Sequence, residues 1–494
     1  GRHHQKLSSN SVPAMAEPRY LVVTFPAQGH INPGIQFAHR LLRAGAAGVT
    51  FATSDSALAR MNLTADTPPT LSLASYSDGV GDFDQILKGD VSRYMSELKR
   101  CGSRSLAHLI RDADRAGRPF TCLFYATLIS WAGRVAREHQ VPSALLWIQP
   151  AAVFLIYHYN LNGYGDAIRD AAGDALGGVE LPGLPRLSAG DLPSFLLPSS
   201  KADFALPLIE EHMQLLAEES HPQVLVNSFD ALEARAIHAV EDLELIPVGP
   251  LIPSPFFSDG NKAPSVADPP AARARVDLYQ SSTDYMEWLN AQAESSVIYV
   301  SFGSYSLLPK PQMEEIARAL LDSGKPFLWV ARALEGGGEG EEVISCRAEV
   351  ERKGMMVTWC SQLEVLSHRS LGCFVTHCGW NSTSESLALG APVVALPLWT
   401  DQMTNAKLIE DLWGIGVRAR PGGDGVVGRE EIGRCVKMVM CGGEKGEEMR
   451  RNCRKWKGLA GEAGREGGSS DRNLKAFLGR FGGAAANEGV RTKQ

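Results

Sequence analysis

The stretch with the clearest chemical potential is residues 374–386, where an apolar run leads through a glycine turn into a helical pattern of small polar side chains. A helix that begins this way leaves backbone N–H groups unpaired at the positive end of its dipole, so the turn suits a phosphate group. His377 could add a donor, and Ser382 and Thr383 could cap the helix or donate to phosphate oxygens. Glu385 could accept hydrogen bonds from sugar hydroxyls. These residue types favour a ligand that carries phosphate and hydroxyl groups.

A second candidate group is a histidine that follows the first apolar run of the chain, Tyr20–Phe25. His30 stands directly after Gly29, before an apolar helical pattern and at the predicted carboxyl end of a strand, where active sites of α/β proteins lie. A histidine near a helix start is usually a cap or a surface residue. At this place, however, an imidazole that titrates near neutral pH could act as a general base on a hydroxyl group.

Two series of short strands, alternating with helical patterns, must position these residues. Continuous apolar runs bounded by turns are typical of strands buried on both faces of a parallel sheet. The alternation therefore predicts an α/β fold of two doubly wound, Rossmann-like domains that face each other across a ligand-binding cleft. The predicted strands are residues 20–25, 49–52, 122–124, 143–147 and 224–227 in the first series and 296–302, 326–331, 355–358, 372–376 and 392–398 in the second.

Composition excludes several other classes of protein. The chain has 494 residues, 44% of them hydrophobic, and a net charge of −7, which excludes a disordered chain and argues against a nucleic-acid partner. The longest apolar stretch, residues 144–157, is shorter than the ~20 residues of a membrane-spanning helix, so we predict no membrane partner. Nine cysteines without regular spacing form no disulfide framework and favour a reducing, cytoplasmic location.

Residues 359–402 resemble the signature box of plant family 1 UDP-glycosyltransferases and fill every position of that box. The resemblance extends from Tyr20 to about Phe481. It implies a GT-B architecture and inverting transfer of a hexose from UDP-glucose to a small hydrophobic acceptor, without a metal or a permanently bound cofactor. The landmarks of the box are Trp359, Gln362, the core 377–382, Glu385, Pro392, Pro397 and the closing pair Asp401 and Gln402.

The resemblance also implies a role for each residue of the donor site. An aromatic ring suits a base, a carboxylate suits a vicinal diol, and neutral donors suit oxyanions. Gln402 at the last position is the family's pattern for glucose, which favours UDP-glucose. The implied donor site consists of Trp359 at the uracil, Gln362 and Glu385 at the ribose, Ser304, His377, Asn381 and Ser382 at the diphosphate, Trp380, Asp401 and Gln402 at the hexose, and Cys360 without an assigned part of the ligand.

Domain boundaries follow from composition together with the resemblance. Residues 15–252 are predicted to bind the acceptor and residues 275–473 the UDP-sugar, joined by a Pro/Ser/Asp-rich linker at 253–274. Residues 474–494 should form a C-terminal helix and tail that packs back toward the N-terminal domain. The polar residues 1–14 lack the apolar core of a secretory signal and are predicted to be a disordered extension.

The chain departs from the family pattern beside its base. His30 matches the family's catalytic histidine, but many relatives orient that histidine with an Asp at the position of Ala126. Without the Asp, His30 should be a weaker base, unless Thr127 or a water supplies the second hydrogen bond. A carboxylic acid is already ionised at pH 7 and needs no strong base, and a missing Asp also removes a charge that would repel it.

We therefore expect a carboxylic acid acceptor similar to indole-3-acetate and a 1-O-β-glucose ester as product. Residues 25–33 and 147–151 are similar to a plant subgroup that includes auxin-type and crocetin glucose-ester formers. Because the subgroup also contains anthocyanin 5-O-glucosyltransferases, glucosylation of a flavonoid or another phenol remains the alternative. The acceptor pocket is expected to come from segments 75–83, 125–131 and 147–157.

Other interpretations of the sequence remain open. The chain could bind a nucleotide sugar without turnover, or two doubly wound domains could serve an NAD(P)-dependent oxidoreductase. Asp112 and Asp114 have the spacing of a metal-binding Asp-x-Asp motif, but their helical context favours a solvated helix end, so no metal is expected. Cys373, His377 and Cys378 lack a second ligand pair for zinc. We expect a monomer.

Overall fold

The structure is a computed structural model. It describes residues 17–61, 68–79, 81, 90–174, 177–198, 200, 204–257, 278, 284–306, 308–331, 344–441 and 443–487. The predicted extension 1–14 and most of the predicted linker 253–274 lie outside the described residues, and the domain boundaries stay predictions.

A seven-stranded parallel sheet with the strand order β3-β2-β1-β4-β5-β6-β7 forms the N-terminal half. The side chains of β1 alternate between two cores, because Leu21 and Val23 pack into one buried cluster and Tyr20 and Val22 into another. Both faces are therefore covered, as predicted. The strands are β1 Arg19–Val23, β2 Gly48–Ser54, β3 Leu71–Tyr76, β4 Cys122–Ala126, β5 Ser143–Trp147, β6 Gln223–Val226 and β7 Glu244–Pro247.

A six-stranded parallel sheet with the order β10-β9-β8-β11-β12-β13 forms the C-terminal half. Its strands are also buried on both faces, with Ile298 and Val300 in one cluster and Val297 and Tyr299 in another. The strands are β8 Val297–Ser301, β9 Phe327–Val330, β10 Met355–Val357, β11 Leu371–Thr376, β12 Val393–Ala395 and β13 Gly416–Arg418.

Helices connect the parallel strands and cover both sheets. The helix Gln402–Lys407 continues into a π-helical turn, Leu408–Leu412. In the described residues, no helix is long and apolar enough to cross a membrane. The other helices are Gln28–Arg43, Asp55–Arg60, Val91–Arg115, Ser130–Glu138, Ala151–Leu161, Gly165–Gly173, Ala205–Ala217, Asp230–Ile237, Tyr285–Asn290, Lys310–Asp322, Arg347–Lys353, Gln362–Ser367, Trp380–Leu389, Arg429–Cys441, Gly443–Gly464 and Ser469–Asn487.

Strand order places the candidate residues at two topological switch points. In the first sheet the order reverses between β1, which leads to His30, and β4, which ends at Ala126. In the second sheet it reverses between β8, which leads to Ser304, and β11, which leads to His377. Ligands of open α/β sheets bind in the crevices outside such points. Each sheet therefore has a crevice for one ligand, and the two crevices face each other.

The last helix, Ser469–Asn487, packs against the N-terminal sheet. Leu474 and Phe477 are buried in the same cluster as Tyr20 and Phe124, and the rings of Phe477 and Phe124 lie 6.2 Å apart. The hydroxyl of Ser470 donates to the carbonyl of Gly249 at 2.6 Å. The end of the chain therefore closes the core of the half in which the chain begins.

We expect Phe477→Ala to lower the free energy of unfolding by about 3–5 kcal/mol, because it leaves a cavity in this core. Urea unfolding followed by tryptophan fluorescence would measure the change. Lys475→Ala is the matched control, since its ion pair with Asp471 is solvent-exposed and worth about 0–1 kcal/mol. Equal losses for the two variants would contradict a core role for this helix.

Candidate active site

A single cleft between the two halves collects every predicted site residue. The cavity encloses ≈ 1670 Å³ of space, its open mouth included. Its walls come mainly from the turns after β1, β4, β5, β8 and β11, from the loops that follow β10 and β12, and from the helix Ala205–Ala217. The predicted residues that line it are His30, Ser304, Trp359, Cys360, Gln362, His377, Trp380, Asn381, Ser382, Glu385, Asp401 and Gln402.

His30 lies in the first turn of the helix Gln28–Arg43. Its backbone N–H donates to the carbonyl of Ala27 at 2.8 Å, and its ring lies 5.2 Å from that of Phe25. Its Nδ1 is buried and has no hydrogen-bond partner among the described residues. Burial lowers the pKa of His30 to about 3, so the imidazole is neutral near pH 7.

The neighbouring strand β4 ends in Ala126, the position at which many relatives carry the orienting Asp, and this residue offers no hydrogen-bond acceptor on its side chain. Ala126 is the last residue of β4, and Val23 of β1 pairs with Tyr125 beside it. Ala126 is buried, and its methyl group cannot hold the imidazole in one tautomer. Thr127 does not take over this role, since its buried hydroxyl forms no hydrogen bond with any described residue.

The turn after β11 is shaped for a close approach of ligand and backbone. Cys378 has a positive φ of 64°, which is uncommon for a residue with a side chain. A Cβ built on Gly303 or Gly379 would lie 2.7 or 2.6 Å from Nε2 of His377, so only glycine fits at both places. Burial lowers the pKa of His377 to about 4, so this histidine also meets a ligand as a neutral group.

The helix Trp380–Leu389 begins without a side-chain cap at Gly379, and its first intrahelical bond runs from the N–H of Thr383. The prediction that Ser382 or Thr383 caps this helix is wrong. The hydroxyl of Thr383 donates to the carbonyl of Cys378 at 3.2 Å, and Ser382 accepts a bond from Gln362. The N–H groups at the helix start are thus not used by a cap and can serve an anion.

The residues that the family assigns to the ribose already contact one another. Nε2 of Gln362 donates to the carboxylate of Glu385 at 2.8 Å and to the hydroxyl of Ser382 at 3.0 Å. The hydroxyl of Tyr299 donates to Oε1 of Gln362 at 3.4 Å. This network fixes the Glu385 carboxylate before a ligand enters the cleft.

Asp401 and Gln402, which the resemblance assigns to the hexose, lie at the start of the helix Gln402–Lys407. The carboxylate of Asp401 accepts bonds from the hydroxyl of Thr400 at 2.7 Å and from Asn405 at 2.8 Å, and it also interacts with Gln149. Burial raises the pKa of Asp401 in spite of these bonds. Oε1 of Gln402 accepts the backbone N–H groups of Leu398 and Trp399, which leaves its amide N–H to meet a sugar hydroxyl.

The acceptor side of the cavity is mostly apolar. The predicted segments 125–131 and 147–157 contribute to it, whereas no lining residue comes from the described part of segment 75–83. Sequence reasoning missed a group of mostly aromatic and apolar residues on later loops and on the helix Ala205–Ala217. For Phe195, the apolar content of the loop 181–197 is a signal, because a solvent-exposed loop would be polar. The missed residues are Phe195, Phe204, Ala205, Ile209, Tyr305, Trp399 and Thr400.

The described lining of the cavity contains no Lys or Arg. Within the described residues, no group of three His, Cys, Asp or Glu is arranged to hold a metal ion. Asp112 and Asp114 lie on the exposed side of the helix Val91–Arg115, where Asp112 pairs with Arg115 at 3.4 Å. They form a solvated helix end.

Comparison with known proteins decides the family. The model of the family described as UDP-glucoronosyl and UDP-glucosyl transferase matches residues 275–421. The chain is 54% identical over 470 residues to a chloroplastic crocetin glucosyltransferase of Gardenia jasminoides, covering 94% of this chain and 98% of the relative. The chain belongs to the UDP-glycosyltransferase family. It is also 51% identical to anthocyanidin 3-O-glucoside 5-O-glucosyltransferase 1 of Perilla frutescens, covering 94% of this chain and 99% of the relative.

Among solved structures, Os79 from O. sativa in complex with UDP superimposes with a TM-score of 0.81 at 36% identity, covering 94% of this chain and 100% of that chain. The predictions of a plant family 1 UDP-glycosyltransferase, of its GT-B fold and of a UDP-glucose donor are thereby confirmed. The chain is a hexosyltransferase. The interpretations as a mere binding protein or an oxidoreductase are not supported.

The lowered pKa of His30 predicts that the free energy of unfolding of this UDP-glycosyltransferase depends on pH. The imidazole has its ordinary pKa near 6.5 in the unfolded chain and about 3 in the folded one, so the unfolded state binds more protons between these values. The contribution to stability is complete above pH 6.5 and is lost as the pH falls toward 3. We expect wild type to lose up to about 1.4 kcal/mol per pH unit more than His30→Gln between pH 6 and 4.5.

Chemical denaturation of both proteins at each pH measures this difference, and the other buried histidines cancel in the comparison. Parallel stability curves for wild type and His30→Gln would contradict a neutral, desolvated His30.

Proposed function

We propose that the protein transfers glucose from UDP-glucose to the carboxylate of a small hydrophobic acid and forms a 1-O-β-glucose ester. The observation that carries the proposal is the unpartnered Nδ1 of His30, together with an Ala instead of an Asp at position 126. A base without an orienting carboxylate is poorly suited to deprotonate a phenol. An acceptor that is already ionised at pH 7 does not need that step.

The donor residues bind UDP-glucose in the roles implied by the family. Trp359 stacks on uracil, Gln362 and Glu385 hold the ribose, and the start of the helix Trp380–Leu389 takes the diphosphate with His377, Asn381, Ser382 and Ser304. Asp401 and Gln402 bind the hexose hydroxyls, and Cys360 lines the same cavity. The network of Gln362, Ser382 and Glu385 supports this assignment, because it fixes the carboxylate that would accept from the ribose diol.

The reaction is a single displacement at the anomeric carbon. A carboxylate oxygen forms the new C–O bond on the face opposite UDP, while the bond between the anomeric carbon and the β-phosphate oxygen breaks. UDP leaves with the electron pair, and no proton has to move. With a phenol as acceptor, the phenolic proton would pass to the free nitrogen of His30 in the same step.

Neutral donors would have to hold a carboxylate acceptor, because the described cavity lining offers no Lys or Arg. A neutral imidazole carries one N–H, and with no Asp to fix its tautomer His30 can place that N–H toward the acceptor. The hydroxyl of Thr127, also without a described partner, supplies a second donor on the same wall.

Glucosylation of a phenol hydroxyl is the second candidate. The absence of a cation from the described lining favours it, since a buried carboxylate is costly without a charged partner. The Perilla frutescens relative is named for transfer to an anthocyanidin glucoside. The mostly apolar wall with Phe195, Phe204 and Ile209 suits a flat aromatic acceptor of either kind.

Turnover of indole-3-acetate and of a flavonoid without a carboxyl group, each with UDP-glucose, tests the proposal. We expect the acid to give the larger kcat/KM and a product that dilute alkali hydrolyses, as an ester requires. Faster turnover of the flavonoid to an alkali-stable product would contradict the ester proposal and would favour glucosylation of a phenol hydroxyl. His30→Ala should slow transfer to the flavonoid by about 10²–10⁴-fold and transfer to the acid by less, while UDP affinity stays the same.

Ala126→Asp should move the enzyme toward phenols. A carboxylate at the end of β4 would hold the proton of His30 on Nδ1 and raise the basicity of the other nitrogen, while its charge would repel an acidic acceptor. We expect the ratio of kcat/KM for the flavonoid to that for indole-3-acetate to rise by about tenfold or more. Ala126→Asn is the neutral control of similar size. A ratio that changes equally in both variants would show a steric effect only.

We also propose that the enzyme acts as a monomer in a reducing, cytoplasmic environment. All nine cysteines, among them the buried Cys122, Cys373 and Cys453, are free thiols in the structure, which supports this environment. Size-exclusion chromatography with light scattering would reveal any stable dimer.

A further inference from the structure

A loop of the N-terminal half holds the turn that precedes the hexose-binding pair. Ser194 lies in this loop, residues 188–196, and exchanges two hydrogen bonds with Thr400 of the C-terminal half. The N–H of Ser194 donates to the carbonyl of Thr400 at 2.9 Å, and the N–H of Thr400 donates to the Ser194 hydroxyl at 2.7 Å. The two halves are therefore joined directly beside Asp401.

Thr400 has a backbone conformation that requires such support. Its φ is 58°, a left-handed value that a β-branched residue rarely adopts and that costs about 1–3 kcal/mol unless its surroundings impose it. In this conformation the Thr400 hydroxyl donates to the Asp401 carboxylate at 2.7 Å. The bonds from Ser194 thus fix both the backbone before Asp401 and one of the hydrogen bonds that orient its carboxylate.

A buried ion pair holds the other end of the same loop. Asp191 and Arg418 are separated by 2.9 Å, with side chains 7% and 9% exposed. Arg418 also donates to the carbonyl of Gly190 at 2.6 Å, and the hydroxyl of Thr404 donates to the carbonyl of Asp191 at 2.7 Å. Thr404 lies on the helix that begins at Gln402, so this contact fixes the second hexose residue as well.

Ion pairs of this kind contribute little net stability, because desolvation offsets their attraction, but they impose one geometry. Burial alone would raise the pKa of Asp191, but bonds from Ser188 and the charges of Lys407 and Arg418 outweigh it and hold the pKa below its ordinary value. The Asp191 carboxylate is therefore charged at neutral pH, and its ion pair holds the loop against Arg418.

The same loop also touches the acceptor side of the cleft. Phe195, next to Ser194, lines the cavity, and its ring packs edge-on against Trp399 at 6.2 Å. By contrast, the bonds among Gln362, Ser382 and Glu385 lie wholly within the C-terminal half. A displaced loop would disturb the hexose residues and leave the nucleoside residues in place.

We propose that the 188–196 loop determines recognition of the donor hexose from the opposite half of the molecule, with Ser194 and Asp191 as positioning residues for Asp401 and Gln402. The proposal rests on the proposed function, in which Asp401 and Gln402 bind the hexose. The loop adds specificity for the sugar, whereas affinity for UDP comes from the C-terminal half.

Ser194→Ala tests the proposal, because it deletes the bond from the Thr400 N–H and little else. Calorimetry of UDP and UDP-glucose binding, without an acceptor, is the primary measurement. We expect UDP-glucose affinity to fall by about fivefold and UDP affinity to stay within about twofold. The kcat/KM ratio of UDP-glucose to UDP-galactose should fall by a similar factor. Ser194→Thr keeps the hydroxyl and should restore both values, and Asp191→Asn should shift both in the same direction as Ser194→Ala.

Ser470→Ala is the matched control, since it also removes a long-range serine hydrogen bond, but at the last helix, and should leave both affinities unchanged. Equal losses of UDP and UDP-glucose affinity in Ser194→Ala, or no loss of either, would overturn the proposal. Should Asp191→Asn fail to fold, Ser194→Ala alone decides. A wild type that binds UDP-glucose but transfers no glucose would refute the proposed function, while the binding comparison would still judge the role of the loop.

Discussion

The start of the helix Trp380–Leu389 is bonded to the opposite half of the molecule, and the site depends on that contact. The indole N–H of Trp380 donates to the carbonyl of Asn227 at 2.7 Å, and the side chain of Asn381 donates to the carbonyl of Gly29 at 3.0 Å. Gly29 directly precedes His30. The N–H groups suited to a diphosphate and the candidate base are thus held at a fixed separation, and neither half could set that separation alone.

The hydrogen-bond donors that the described lining of the cleft offers to the charged diphosphate of UDP-glucose are neutral groups. The described lining holds no Lys or Arg, and the groups in it that can attract the diphosphate are an uncapped helix start and hydroxyl, amide and imidazole donors. Burial keeps His30 and His377 neutral. Preoriented dipoles carry no net charge, so they bind an anion without the desolvation cost of a buried cation.

Sequence patterns predicted most of the fold, because buried parallel strands are apolar throughout and the donor residues lie in one continuous stretch. They missed β3, β7 and β13, of which β13 is three residues long and includes Gly416 and Arg418. The cap of the helix Trp380–Leu389 was also wrong, because Gly379 forms the turn and Thr383 bonds inward. That Phe195 and Phe204 line the cleft follows from the path of the chain over it, and an apolar loop composition alone does not show which cavity a side chain lines.

Strain in the C-terminal half explains why contacts between the halves matter for specificity. Cys378 and Thr400 both have positive φ, and each precedes residues assigned to the donor. The turn at Cys378 is held within its own half, where the Thr376 hydroxyl accepts the N–H of Cys378 at 3.3 Å. The turn at Thr400 is held by Ser194, from the half that also lines the acceptor wall. Because a strained turn keeps only the geometry that its surroundings impose, the turn at Cys378 is set within its own half, whereas the turn before Asp401 is set by how the two halves meet.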